Sequence, residues 1–96
     1  MNDREDLERG RLAAEVLENP VFRDAFDRIQ QEIVTKWQGE KEERQREWLW
    51  SMSQACKRLE SVLTEAMNNG LVAQKQLDLH QSRAERFGQK LRNALR

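Results

Sequence analysis

Between Trp48 and Met67 the chain carries two adjoining apolar rows. Trp48, Met52, Ala55, Leu59, Val62 and Ala66 recur at alternating spacings of four and three, the seam of a long amphipathic helix. The neighbouring row Leu49, Met52, Cys56, Leu59, Leu63 and Met67 is apolar as well. A stripe this wide faces several neighbours, as in a helical bundle or an oligomer. It commits the chain to helix packing and carries no chemistry of its own.

The rest of the chain has little else to bury. Apolar residues make up 38% of the 96 and charged residues 35%, against roughly 45–50% (Gly included) and about 25% in ordinary globular chains. A chain of this size forms one small domain, and such domains bury only about two-thirds of their unfolded surface. Two readings fit: long helices whose core a second subunit completes, or a marginal monomer with a disordered end. The regular apolar spacing favours the oligomer.

Four helical segments are expected. The first runs from about Asp3 to Leu17, with Asn2 or Asp3 as cap and Asp3, Glu5 and Asp6 favourable near its start. Asn19-Pro20 then ends it, because Pro20 lacks an amide proton and biases Asn19 out of helical geometry. The same pair starts the second segment, Asn19 capping and Pro20 at the first helical position. This corner is expected to fold the first helix back along a hairpin. Phe22, Phe26, Ile29, Ile33 and Trp37 share one face of the second segment. A short loop around Gln38 to Glu40 leads into the third, with Phe26, Ile29, Ile33 and Trp37 expected to pack antiparallel on Trp48, Met52, Ala55 and Leu59. Asn68-Asn69-Gly70 reads as a stop, since Asn and Gly tolerate the left-handed conformation of a helix C-cap. The last segment places Leu77, His80, Ala84, Phe87 and Leu91 on one face, with Gly88 costing about 1 kcal/mol relative to Ala. The expected organisation is therefore all-α: a three- to four-helix antiparallel hairpin or bundle over residues 1–70, completed by oligomerisation, and a basic amphipathic C-terminal helix over 71–96.

Catalysis needs positioned groups that move protons or hold a metal, and no such constellation is visible. His80 is the lone histidine and falls in the apolar register of its helix. Gly10, Gly39, Gly70 and Gly88 never cluster as a phosphate loop requires. The carboxylates sit beside opposite charges at four-residue spacing, as in Glu5 with Arg9 and Asp24 with Arg28, a pattern of solvated helix faces. Cys56 is the single cysteine, so neither an internal disulfide nor a cysteine zinc site can form. It lies on the apolar stripe, where a free thiol behaves as a small hydrophobe. No enzyme activity, cofactor or metal is expected. No apolar run approaches the ~20 residues of a membrane span, and the acidic first residues do not resemble a signal peptide, so a soluble intracellular chain without a membrane partner is expected.

Two features point to binding. Trp37 ends the second segment's stripe and Trp48 begins the third's, so the two rings are expected to meet across the hairpin. Trp50 lies about 200° round the helix from Trp48, off the main seam, where contact with the first helix or a second subunit would shelter it. The oligomer interface is accordingly expected at Trp48, Trp50, Met52, Leu59, Leu63 and Met67. The second feature is charge: from Leu71 onward six basic residues face two acidic ones, although the whole chain has no net charge. Arg83, Arg86, Lys90 and Arg92 flank the last apolar stripe and are the candidate contacts to a nucleic-acid backbone. The plainer account is that they solvate the helix and suit the negative end of its dipole.

The stretch LERGRLAAEVLENPVFRDAFDRIQQEIVTKWQ, followed by REWLW and by ACKRLESVLTEAMNNGLVAQKQL, resembles small helical proteins encoded among the head and DNA-packaging genes of tailed bacteriophages. The resemblance rests on Arg9-Gly10, on Leu17 to Phe22 and on Trp37, and covers Leu7 to Leu77. These are structural motifs and bring no catalytic residue. The resemblance implies a setting and no activity. Together with the wide seam and the thin core it leads to the expectation of a non-enzymatic accessory of virion assembly or DNA packaging, working in the host cytoplasm or the virion as a homo-oligomer alongside phage structural or packaging proteins. Two rivals stand beside it: a DNA- or RNA-binding module using the basic last helix, and a phage inhibitor of a host protein acting through an exposed face that includes Trp50.

Overall fold

The computed structural model describes residues 2–95, and every element among them is helical. Helix α1 spans Asp3–Glu18, α2 Pro20–Gly39 and α3 Glu43–Ala94. The third element is 52 residues long, about 78 Å at 1.5 Å per residue, and it sets the 82 Å length of the molecule. The radius of gyration is 22.4 Å, where a compact chain of this length would have roughly 12–13 Å. The protein is a rod.

The two sequence breaks before α3 have clear local causes. Asn2 caps α1 by accepting from the Glu5 amide at 2.9 Å. Asn19 caps α2, its side-chain oxygen accepting from the Phe22 amide at 3.0 Å, with Pro20 in the first turn. At the other end of α2 the side chain of Glu40 accepts from the Lys41 and Glu42 amides at 3.1 and 3.0 Å. Arg46 donates from one nitrogen to the carbonyls of Trp37 at 2.9 Å and Glu40 at 2.8 Å. Its guanidinium also lies 4.1 Å from the centre of the Trp37 ring. One arginine thus adds a second donor to the Trp37 carbonyl, which also accepts from the Glu40 amide at 3.3 Å, caps the Glu40 carbonyl just past α2, and ties the α2–α3 turn together.

Beyond the corner, the layout departs from the expectation. The first helix does not fold back on α2; it packs on α3 farther along. Phe22, Phe26 and Leu17 border Glu60 and Thr64, and Gly10 meets Gly70. The order Trp37–Leu49, Phe22–Glu60, Gly10–Gly70 shows α2 and then α1 running antiparallel to α3, end to end. The stop at Asn68-Asn69-Gly70 does not occur, and the boundary expected at residue 70 lies inside one continuous helix. No residue with a described backbone has a positive φ there. Gly and Asn permit a left-handed cap but do not compel one, and no proline follows to break the ladder.

Gly70 instead allows a close approach. A Cβ on Gly10 would lie 2.6 Å from the Gly70 Cα and 2.9 Å from the Ala66 carbonyl, and a Cβ on Gly70 would lie 2.8 Å from the Gly10 Cα. Ala13 and Ala73, three residues beyond each glycine, are buried on the same contact. The helices meet backbone to backbone through matching Gly-x-x-Ala steps. Among the described residues only Ala13, Ile33 and Ala73 are buried apolar side chains, so most apolar side chains keep contact with water.

Candidate helix-docking surface

Which row of α3 faces α2 decides what stays exposed. Leu49, Ser53 and Cys56 are half-buried, in step with Arg46 and, farther on, Leu63, Gly70 and Leu77. This is a heptad-spaced seam, and α2 and α1 cover it from Arg46 to Leu77. The expected pairing of α2 with Trp48, Met52, Ala55 and Leu59 is therefore about 100° out. The Arg46 staple explains the difference: it turns residues 46, 49 and 53 toward α2 and carries Trp48 away. Trp37 packs under Arg46, and among the described residues the ring pair is Phe22 with Phe26, not Trp37 with Trp48.

The row left over forms the surface of interest. Trp48 is 63% exposed and Leu59 48%, with Met52 and Val62 also open to solvent. On α2, Ile29 is exposed as well, while Phe22 and Phe26 stack with ring centres 5.7 Å apart. Val34 and Trp50 lie along the opposite edge of the α2–α3 pair. There they line an open cleft of about 220 Å³ with Ile33, Trp37, Leu49 and Lys57. Trp50 thus borders α2, not α1, and remains 58% exposed. Leu63 and Met67 are half-buried, one on the heptad of Gly70 and the other a turn before it. Of the six residues expected at an oligomer interface, Trp48, Met52 and Leu59 share one uncovered face and Trp50 another.

The C-terminal part of α3 is a separate surface. Past Leu77 neither α1 nor α2 reaches it, and Leu79, Phe87, Leu91 and Leu95 are exposed. Arg83, Arg86 and Lys90 are exposed and follow one line at three- and four-residue spacing. Arg92 stands two residues past Lys90, about 200° round. The four basic residues therefore do not form one continuous stripe.

Charge chemistry elsewhere is that of solvated helix faces. Arg11 bridges Glu8 and Glu15, and Arg28 pairs with Glu32 at 3.5 Å. The hydrogen bond from Arg11 holds the Glu8 carboxyl below its usual range. Among the described residues no group of three His, Cys, Asp or Glu could hold a metal ion. None of their helices is long and apolar enough to cross a membrane. No family model, curated protein or solved structure matches the chain.

Proposed function

We propose that the chain is a non-enzymatic helical interaction module that docks protein helices on the exposed Trp48–Val62 row of α3, as an accessory of phage virion assembly or DNA packaging. The observation that carries the reading is the row itself, four large apolar side chains left in water beside a thin core. Taking such a side chain from fully exposed to fully buried contributes about 1.5–3 kcal/mol; these four are already partly covered and would gain roughly half of that each, so the row suits a contact surface. The phage setting is supported by the resemblance over Leu7 to Leu77. Photo-crosslinking tests the reading: a crosslinker at position 48, in cells that make the protein, should yield adducts with identified proteins or with the chain itself. Adducts only with nucleic acid, or none from a folded protein, would reject it.

A second reading uses the basic end of α3. Arg83, Arg86 and Lys90 lie on one exposed line, suited to a phosphate backbone. DNA affinity that falls steeply with salt, and that is lost on changing these three to Gln, would favour it.

A further inference from the structure

We infer that the occupant of the Trp48–Leu59 row is a second copy of this chain, apposed antiparallel about a two-fold axis; this rests on the docking reading above. The row is spaced four, three, four (Trp48, Met52, Ala55, Leu59), so it reads the same in either direction. Turned onto itself about an axis between Met52 and Ala55, it sets Trp48 against the second copy's Leu59. Met52 then enters the space over the second copy's Ala55, a large residue on a small one. Such self-complementarity is what a two-fold interface demands. The four residues of the row carry no charge.

The placement of the neighbouring elements fits the same pairing. Helix α1 runs along α3 from about Glu60 onward, with Leu17 bordering Glu60 and with Asp6 and Arg9 bordering Val62, so that contact begins where the Trp48–Leu59 row ends. Ile29 lies five residues, about 140° of helix, from Val34, and Val34 lines the cleft on the far edge. Ile29 therefore belongs to the same side as the row and widens the apolar face across α2. The area allows it. The chain exposes 8238 Å², against roughly 5,800 Å² expected for a folded monomer of its mass. The excess, about 2,400 Å², is spread along the whole rod, and a standard interface needs only ~800 Å² of it per partner. Two α2–α3 pairs apposed in this way make a four-helix bundle.

Disulfide trapping tests the arrangement in a Cys56→Ser background. Trp48→Cys and Leu59→Cys chains are mixed and oxidised, and the wild type is sedimented alongside. The expected result is a wild-type dimer, and a mixed 48–59 disulfide that forms in preference to either self-pair. Leu59→Glu should sediment as a helical monomer. A wild type that is folded and monomeric at high micromolar concentration would overturn the inference without recourse to any variant. So would 48–48 pairing, which signals a parallel arrangement. If the monomer still crosslinks to another identified protein from position 48, the second copy is refuted and the docking reading survives; if it crosslinks to nothing, both fall.

Discussion

Replacing Gly10 by Ala should destabilise this protein, although the same change inside a helix ordinarily stabilises it. In an exposed helix interior Ala is favoured over Gly by about 1 kcal/mol. Here the new methyl would sit 2.6 Å from the Gly70 Cα and 2.9 Å from the Ala66 carbonyl, both backbone atoms that no rotamer change can clear. Carbon atoms in contact prefer about 3.5–4.0 Å, so α1 must move off α3 by about 1 Å. Overpacking of this kind costs typically 1–3 kcal/mol. A gap of 0.5–1 Å also forfeits a quarter to a half of the dispersion energy along the rest of the contact. The two costs outweigh the propensity gain and leave a net loss of about 1–2 kcal/mol. Gly70→Ala meets the Gly10 Cα at 2.8 Å and should behave alike. The double variant should lose less than the sum, because helices already separated admit the second methyl more easily. Urea unfolding followed by far-ultraviolet circular dichroism, at one fixed protein concentration, reads the difference. Gly88→Ala is the internal control: a Cβ there has nothing within 4 Å, so it should raise helicity. If Gly10→Ala is as stabilising as Gly88→Ala, the close approach of α1 to α3 is wrong.

Other perturbations have equally definite outcomes. Asn19→Ala removes the acceptor for the Phe22 amide and should cost about 1 kcal/mol in urea unfolding. Arg46→Ala removes the side-chain donor to the Glu40 carbonyl and the second donor to the Trp37 carbonyl, and uncovers the Trp37 ring; a loss of about 1–3 kcal/mol is expected, with a change in tryptophan emission. Because the Glu8 carboxyl is held low by Arg11, its pairing persists above the ordinary carboxylate range and is lost as pH falls through the lowered value. A carbon-13 titration of Glu8 should show that midpoint returning toward normal in Arg11→Gln.

The parts of this fold that are legible in the sequence are those set by local chemistry. Asn19-Pro20 announces both the end of α1 and the start of α2, because a missing amide proton and a side-chain acceptor act on their immediate neighbours. The helical character of every segment follows from apolar spacing in the same way. The rotation of α3 is not legible. Its two adjoining apolar rows differ by about 100°, and either could face α2. The choice rests on Arg46, a charged residue in a charge-rich run whose role emerges only when the Trp37 carbonyl and ring come within reach. Gly70 misleads for a related reason, since glycine serves a left-handed cap and a close helix contact equally well. The matching steps Gly10-x-x-Ala13 and Gly70-x-x-Ala73 are the signal for the second use, because small residues at the same spacing on two helices let their backbones approach. Periodicity groups Trp48, Met52 and Leu59 with Leu63 and Met67, but it does not tell that the first three are exposed within the chain while the last two are half-buried.

The stability of the chain as a function of its own concentration tests the docking surface most directly. If Trp48, Met52 and Leu59 are buried by a second copy, the urea midpoint of the wild type must rise with protein concentration across the micromolar range, because association stabilises only the folded chain. Leu59→Glu should abolish that rise and hold the midpoint at the low-concentration value, since Leu59 is half exposed within one chain and its loss there costs little. A wild-type midpoint that does not move with concentration, and that Leu59→Glu leaves unchanged, would contradict the account.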